Sequence, residues 1–199
     1  YGLPTSDFKR LQEEGKVSVY NKPGLSITYM GFNTQTPPFD KPEVRRAITI
    51  AIDREAALDV VYQGLGRVPT SPLLPINNYF PEPVPVEYDP DKAREMLDKA
   101  GVKDLAFTIY TNENKQRKDY AEVIQNMLAE LDIKVDIQVL EWGTFLDQLK
   151  AGKLPVFTEQ GVLIDDDLSG VAVTFGAEQP FSGTIFAGRY NLENSGWCG

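Results

Sequence analysis

No histidine occurs among the 199 residues. That excludes Ser-His-Asp and Cys-His nucleophilic catalysis and the imidazole ligands usual at zinc and copper. An enzyme built from this chain would have to run on carboxylates, lysine, tyrosine or serine alone. The one cysteine, Cys198, has no partner for an internal disulfide. No apolar run approaches the length that crosses a bilayer. No basic segment followed by an apolar stretch opens the chain, which begins at Tyr1 rather than Met. It is read as a mature or partial product, whose lack of a signal says little about where the parent protein resides. The 20 Lys and Arg residues are scattered and form no stripe against 29 acids, for a net charge of −9. A nucleic-acid partner is therefore not expected. The acidic balance serves solubility first and attraction for cationic solutes second.

What is present is an ordinary globular composition, 42% apolar and 25% charged, enough for one well-cored domain. The pattern is that of an α/β fold, a mixed and mostly parallel sheet flanked by helices. A helix starts after Pro4 and stops at Gly15; Val17–Tyr20 alternates as a short strand. Leu25 to Asn33 is a strand with apolar residues on both faces, hence central. Asp40 is placed as the cap of a helix carrying the stripe Val44, Ala47, Ile48, Ala51 and Ile52, and Asp53 caps a continuation to Gly64 or Gly66. Residues 67–88 hold many prolines interleaved with apolar side chains and are expected to be an ordered surface loop. Asp89-Pro90 opens a helix ending at Gly101. Leu105–Thr111, Arg117–Leu131 and Ile133–Val139 then follow as strand, helix and strand, a parallel βαβ unit. Trp142 follows, then a short helix through Phe145, Leu146 and Leu149, stopped at Gly152. Beyond Pro155 the periodicity weakens, with strand pieces at Val156-Phe157, Val162–Ile164 and Val171–Phe175, and 176–199 reads as loop.

Several stretches together resemble one family. They are Tyr29–Glu55, Gly2-Leu3-Pro4 with Asp7 and Leu11, Pro23-Gly24-Leu25, Tyr88-Asp89-Pro90-Asp91-Lys92-Ala93-Arg94, Ala121-Glu122-Val123-Ile124-Gln125, and Glu141-Trp142-Gly143-Thr144-Phe145. As a set they resemble the family 5 extracytoplasmic solute-binding proteins of peptide and nickel ABC importers, over roughly residues 1–152. The resemblance implies a type II periplasmic-binding-protein lobe spanning 1–199, whose solute, a peptide by expectation, is enclosed against a second lobe outside this chain. It implies permease subunits as partners, an extracytoplasmic location, either periplasmic or lipid-anchored, a monomer, and no cofactor. A ligand-sensing domain of a transcription regulator with the same fold is the first alternative. A hydrolase pairing Asp165 with Glu141 is the second.

The resemblance also implies a place for recognition. Peptide-binding members hold the peptide ammonium with an aspartate shortly after a Gly-Trp pair. Here Gly161 matches the glycine, Val162 stands where the tryptophan would be, and Asp165 matches the aspartate, or Asp166 after a shift of one residue. A carboxylate in a closing cleft attracts an ammonium strongly; the bland alternative for Asp165–Asp167 is a solvated turn. Trp142 is a candidate ligand contact or a core residue at a strand end. Arg117 is a candidate for a ligand carboxylate or a solvated residue of a helix start. Asn33 and Thr34 are assigned to loop support, and Arg45 and Arg46 to ion pairs with nearby acids.

Overall fold

The computed structural model describes residues 5–15, 17–18, 26–68, 86–162, 181–184, 189–191 and 196–198, with side chains over 7–15, 17–18, 28–68 and 86–159. Helix α1 spans Thr5–Glu14 and ends at Gly15, whose φ of 64° favours glycine. Val17 and Ser18, expected in a strand, lie outside any strand. Strand β1 (Ser26–Asn33) is followed by α2 (Pro42–Ile50) and α3 (Arg54–Tyr62). Lys41, not Asp40, takes the position before α2, and it makes no side-chain cap. Pro42 opens that helix at a position whose N–H would have no partner anyway. Asp53 does cap α3, accepting from the Ala56 amide at 3.0 Å. Helix α4 (Pro90–Lys99) starts on Asp89, which accepts from the Lys92 amide at 2.9 Å. Then come β2 (Ala106–Asn112), α5 (Lys115–Ala129), β3 (Lys134–Leu140), α6 (Trp142–Lys150) and β4 (Val156–Val162).

The tail corrects the loop expected there: β5 (Phe181–Thr184), β6 (Arg189–Asn191) and β7 (Gly196–Cys198) are short strands. Their glycines and polar residues carry no alternation; β5 is specified by the distant β1, and β6 and β7 by pairing with each other. The Pro-rich expectation falls mainly on 69–85, outside the described residues. Its end, however, is anchored: Asp89 N–H donates to Ile50 O at 2.8 Å, and Arg54 donates to Val86 O.

One five-stranded sheet runs β3-β2-β4-β1-β5, and β6 pairs with β7 apart from it. β2 is parallel to β3 and to β4, while β1 is antiparallel to β4 and to β5. Four strands thus point one way and β1 points back. Alternation along β1 feeds two layers. Met30 and Phe32 enter a core with Val44, Ile48 and Ile52 of α2 and its turn, and with Tyr120, Ile124 and Leu128 of α5. Tyr29 enters a smaller cluster on the opposite face with Phe145, Leu154 and Phe157, against which Leu146 and Leu149 of α6 pack. Helices on both faces of a mostly one-way sheet leave its carboxyl edge as the natural crevice.

Candidate functional site

The crevice edge is built from the ends of β2, β3 and β4 and the first turns of α5 and α6. Short polar turns fix it. Asn112 Oδ1 accepts from the Asn114 amide at 3.1 Å, and Asn114 Oδ1 accepts from the Arg117 amide at 3.2 Å, so α5 begins two residues earlier than its apolar stripe predicts. Glu141 caps α6, accepting from the Thr144 amide at 3.0 Å. Hydrogen bonds from the Gly143 and Thr144 amides hold its carboxyl below the ordinary carboxylate range. Asn33 supports the facing loop: it donates to Gly152 O at 2.8 Å and accepts from the Gln35 amide at 2.9 Å.

At this edge Arg117 and Glu159 form an ion pair at 3.1 Å, with side chains only 12% and 10% exposed. Glu159 sits directly opposite Tyr29 in the β1–β4 register, so it shares the α6 face. α5 packs on the other face, and the guanidinium therefore reaches across the end of the sheet. Its Nε is enclosed without a hydrogen-bond partner among the described residues. The guanidinium carbon lies 5.3 Å from the centroid of Trp142, over its ring. Phe145 stacks on the same indole at 5.8 Å with the planes 13° apart. Burial first, and the charge of Glu159 second, push the Tyr29 phenol well above the ordinary tyrosine range. One aromatic-lined cluster thus joins β1, β4, α5 and α6, and Trp142, 41% exposed, is its solvent-facing member.

The family model for bacterial extracellular solute-binding proteins, family 5 middle, matches residues 1–183. The chain belongs to this family. It is 35% identical over 155 residues to di/tripeptide-binding protein 3 of Pseudomonas aeruginosa, covering 74% of this chain and 29% of that protein. It is 32% identical over 156 residues to heme-binding protein A of Haemophilus influenzae, covering 75% of this chain and 28% of that protein. Among solved structures, the periplasmic binding protein DppA of Helicobacter pylori in complex with the peptide STSA superposes with a TM-score of 0.78 at 30% identity, over 87% of this chain and 34% of that one. The chain spans under a third of the length of these curated relatives.

As a family 5 solute-binding protein, the chain belongs to a family of binders rather than enzymes, with extracytoplasmic members. The Glu141 carboxylate caps α6. Of the four residues singled out for ligand contact, Trp142 and Arg117 are brought together. Asp165 and Asp166 lie outside the described residues. Trp142 is neither in the core nor isolated, and Arg117 is not the solvated residue its place at a helix start suggests. Arg45, expected to pair with acids, is buried and donates to Phe39 O at 2.5 Å and Asp40 O at 3.2 Å. Glu159 was not singled out from the sequence. The available signal was an acid directly after the apolar pair Val156-Phe157, in a stretch whose residues 156–159 are all buried. Among the described residues no group of His, Cys, Asp or Glu is arranged to hold a metal ion.

Proposed function

We propose that the chain is the ligand-binding lobe, residues 1–199, of an ABC importer's solute receptor, and that its solute is a peptide. Membership of a solute-binding family whose compared relatives include a di/tripeptide-binding protein supports this reading. The single structural observation that carries it is the crevice edge, where Trp142 and the Arg117–Glu159 pair gather beside β4, six residues before Asp165 in the sequence. In this reading Asp165, or Asp166 in its place, holds the peptide ammonium, and Trp142 with Arg117 flanks the chain of the peptide. Capture is completed when a second lobe, outside this chain, closes by a hinge motion, and the closed form docks on the permease. The lobe alone then binds weakly, since half of the enclosing contacts are missing. The receptor acts as a monomer outside the cytoplasm, either periplasmic or lipid-anchored.

Isothermal titration of the full-length gene product with di- to nonapeptides, heme and Ni²⁺ tests this. Saturable binding of peptides, weakened at least tenfold by Asp165→Asn or Asp166→Asn (about 1.4 kcal/mol), supports it. Binding of heme or Ni²⁺ but no peptide overturns it.

A further inference from the structure

We propose that Thr111 and Thr158 are positioning residues for Arg117, acting through a closed water site beneath the first turn of α5. The site lies behind the crevice, and its existence does not depend on which solute the receptor takes. Both threonines are 0% exposed. Neither hydroxyl has a hydrogen-bond partner among the described residues, and nor does Arg117 Nε. Strand geometry sets the two hydroxyls side by side. Tyr110 and Phe157 are partners in the parallel β2–β4 register, and Thr111 and Thr158 continue that row. Side chains alternate along a strand, and Ile109 and Val156, two residues earlier, lie in the core under α5. Thr111 and Thr158 therefore face α5 too, where that core meets the carboxyl edge of the sheet. Arg117 overhangs the same edge from the first turn of α5, and its guanidinium reaches on to Glu159. Nε is the atom through which the stem enters the guanidinium, so it lies towards the helix.

Three enclosed polar atoms that stayed unpaired would each lose their hydration without return, a heavy burden for a marginally stable domain. Bulk solvent does not reach them, so their partner is enclosed with them. Water suits the set. Nε–H can only donate, each hydroxyl can donate or accept, and a buried water ordinarily makes about three hydrogen bonds. An anion suits it less, because the Glu159 carboxylate already neutralises Arg117 at 3.1 Å. Thr28, two residues before Met30 on the same face of β1, shows the alternative: its hydroxyl lies 2.6 Å from that of Tyr62 on α3. Arg117 is thus held from two sides, by Glu159 and by water on the two threonines, which fixes its guanidinium over Trp142.

The test uses the full-length gene product carrying nitrogen-15 arginine. The Arg117 Nε–H resonance is assigned by its loss in Arg117→Met/Glu159→Leu, which removes both charges together. The wild type is expected to show a slowly exchanging Nε–H with a cross-relaxation peak to bound water. Thr111→Val and Thr158→Val are expected to abolish that peak and to raise the unfolding equilibrium constant about fivefold, whereas Thr158→Ser keeps both near wild type. In the Arg117→Met/Glu159→Leu background Thr158→Val is expected to cost less, because the water has already lost a partner. A fast-exchanging Nε–H, a missing water peak, or a peak unchanged in the valine variants overturns the proposal. So does unchanged or improved stability of those variants, since a dry site gains from losing lone hydroxyls, and so does a full loss in the double-variant background. An Nε–H shift on exchanging chloride for sulfate would reveal an anion and overturn it as well. If the valine variants fail to fold, the wild-type water peak decides: present, the proposal stands; absent, it falls. No solute is added in these measurements, so their outcome is separate from that of the peptide titration.

Discussion

Gly31 and Phe157 face each other across the β1–β4 pair, and the ring covers the glycine so closely that a Cβ there would lie 2.3 Å from the ring's Cζ. No real Cβ tolerates that approach, so the glycine is required by its neighbour and not by its own backbone. Gly31→Ala is expected to displace Phe157, which also packs edge-on against Tyr29 and Phe145. The expected loss is about 1–3 kcal/mol by denaturant titration, with a change in tryptophan emission because Phe145 underlies Trp142. Retained stability would show that the ring moves aside freely.

Phe39 comes from the loop between β1 and α2 but is 2% exposed, packed on Phe32 at 5.5 Å and edge-on to Phe107 at 5.4 Å. It ties that loop into the main core. Phe39→Ala is expected to cost about 3–5 kcal/mol, read as a lower denaturation midpoint at unchanged slope.

The two aspartates before α2 and α3 are expected to behave differently. Asp53→Ala removes the bond to the Ala56 amide and costs about 1 kcal/mol. Asp40→Ala leaves α2 untouched, because Lys41 holds the cap position, and stays within about 0.5 kcal/mol. Equal losses in the two variants, by thermal melting, would refute this assignment.

Alkali should destabilise the fold through its buried tyrosines. Burial raises the pKa of Tyr29, Tyr62 and Tyr120, and the raised value belongs to the folded state. Their stabilising contribution is therefore complete below the unfolded tyrosine value of about 10. It declines as pH rises from there towards the folded values, since only the unfolded chain releases those protons. Tyr29→Phe is expected to flatten part of that decline in melting curves collected between about pH 9 and 11; an unchanged slope would refute it.

What the sequence made legible is what local chemistry decides. Asp53 and Asp89 as caps, the stop at Gly15 and the β2–α5–β3 unit all depend on neighbours within a turn or one crossover. β1 was legible as central because Tyr29, Met30 and Phe32 bury both of its faces. The short strands β5 to β7 were not, because their residues lack alternation and β5 finds its partner in the remote β1. Of the candidate site, Trp142 and Arg117 were legible but their meeting with Glu159 was not, for a related reason. Arg117, Trp142 and Glu159 belong to three different elements, and nothing within a turn of any one of them signals the other two. Arg45 shows the same limit: its burial and its bonds to the Phe39 and Asp40 carbonyls depend on the turn before α2 and have no signal in the helix's own pattern.

The backward-pointing strand β1 has a consequence for synthesis. It leaves the ribosome before β2, β3 and β4, yet the strands on either side of it are β4 and β5, the latest members of the sheet to appear. β2, α5 and β3 can assemble as soon as they emerge, since their contacts are local. β1 must wait with both edges open, and with Tyr29 uncovered, until Val156–Val162 is made. The nascent chain is therefore most prone to aggregate, and most in need of a chaperone, in the interval between β1 and β4. Slowing translation there should lower the yield of folded protein, while slowing it after β4 should not.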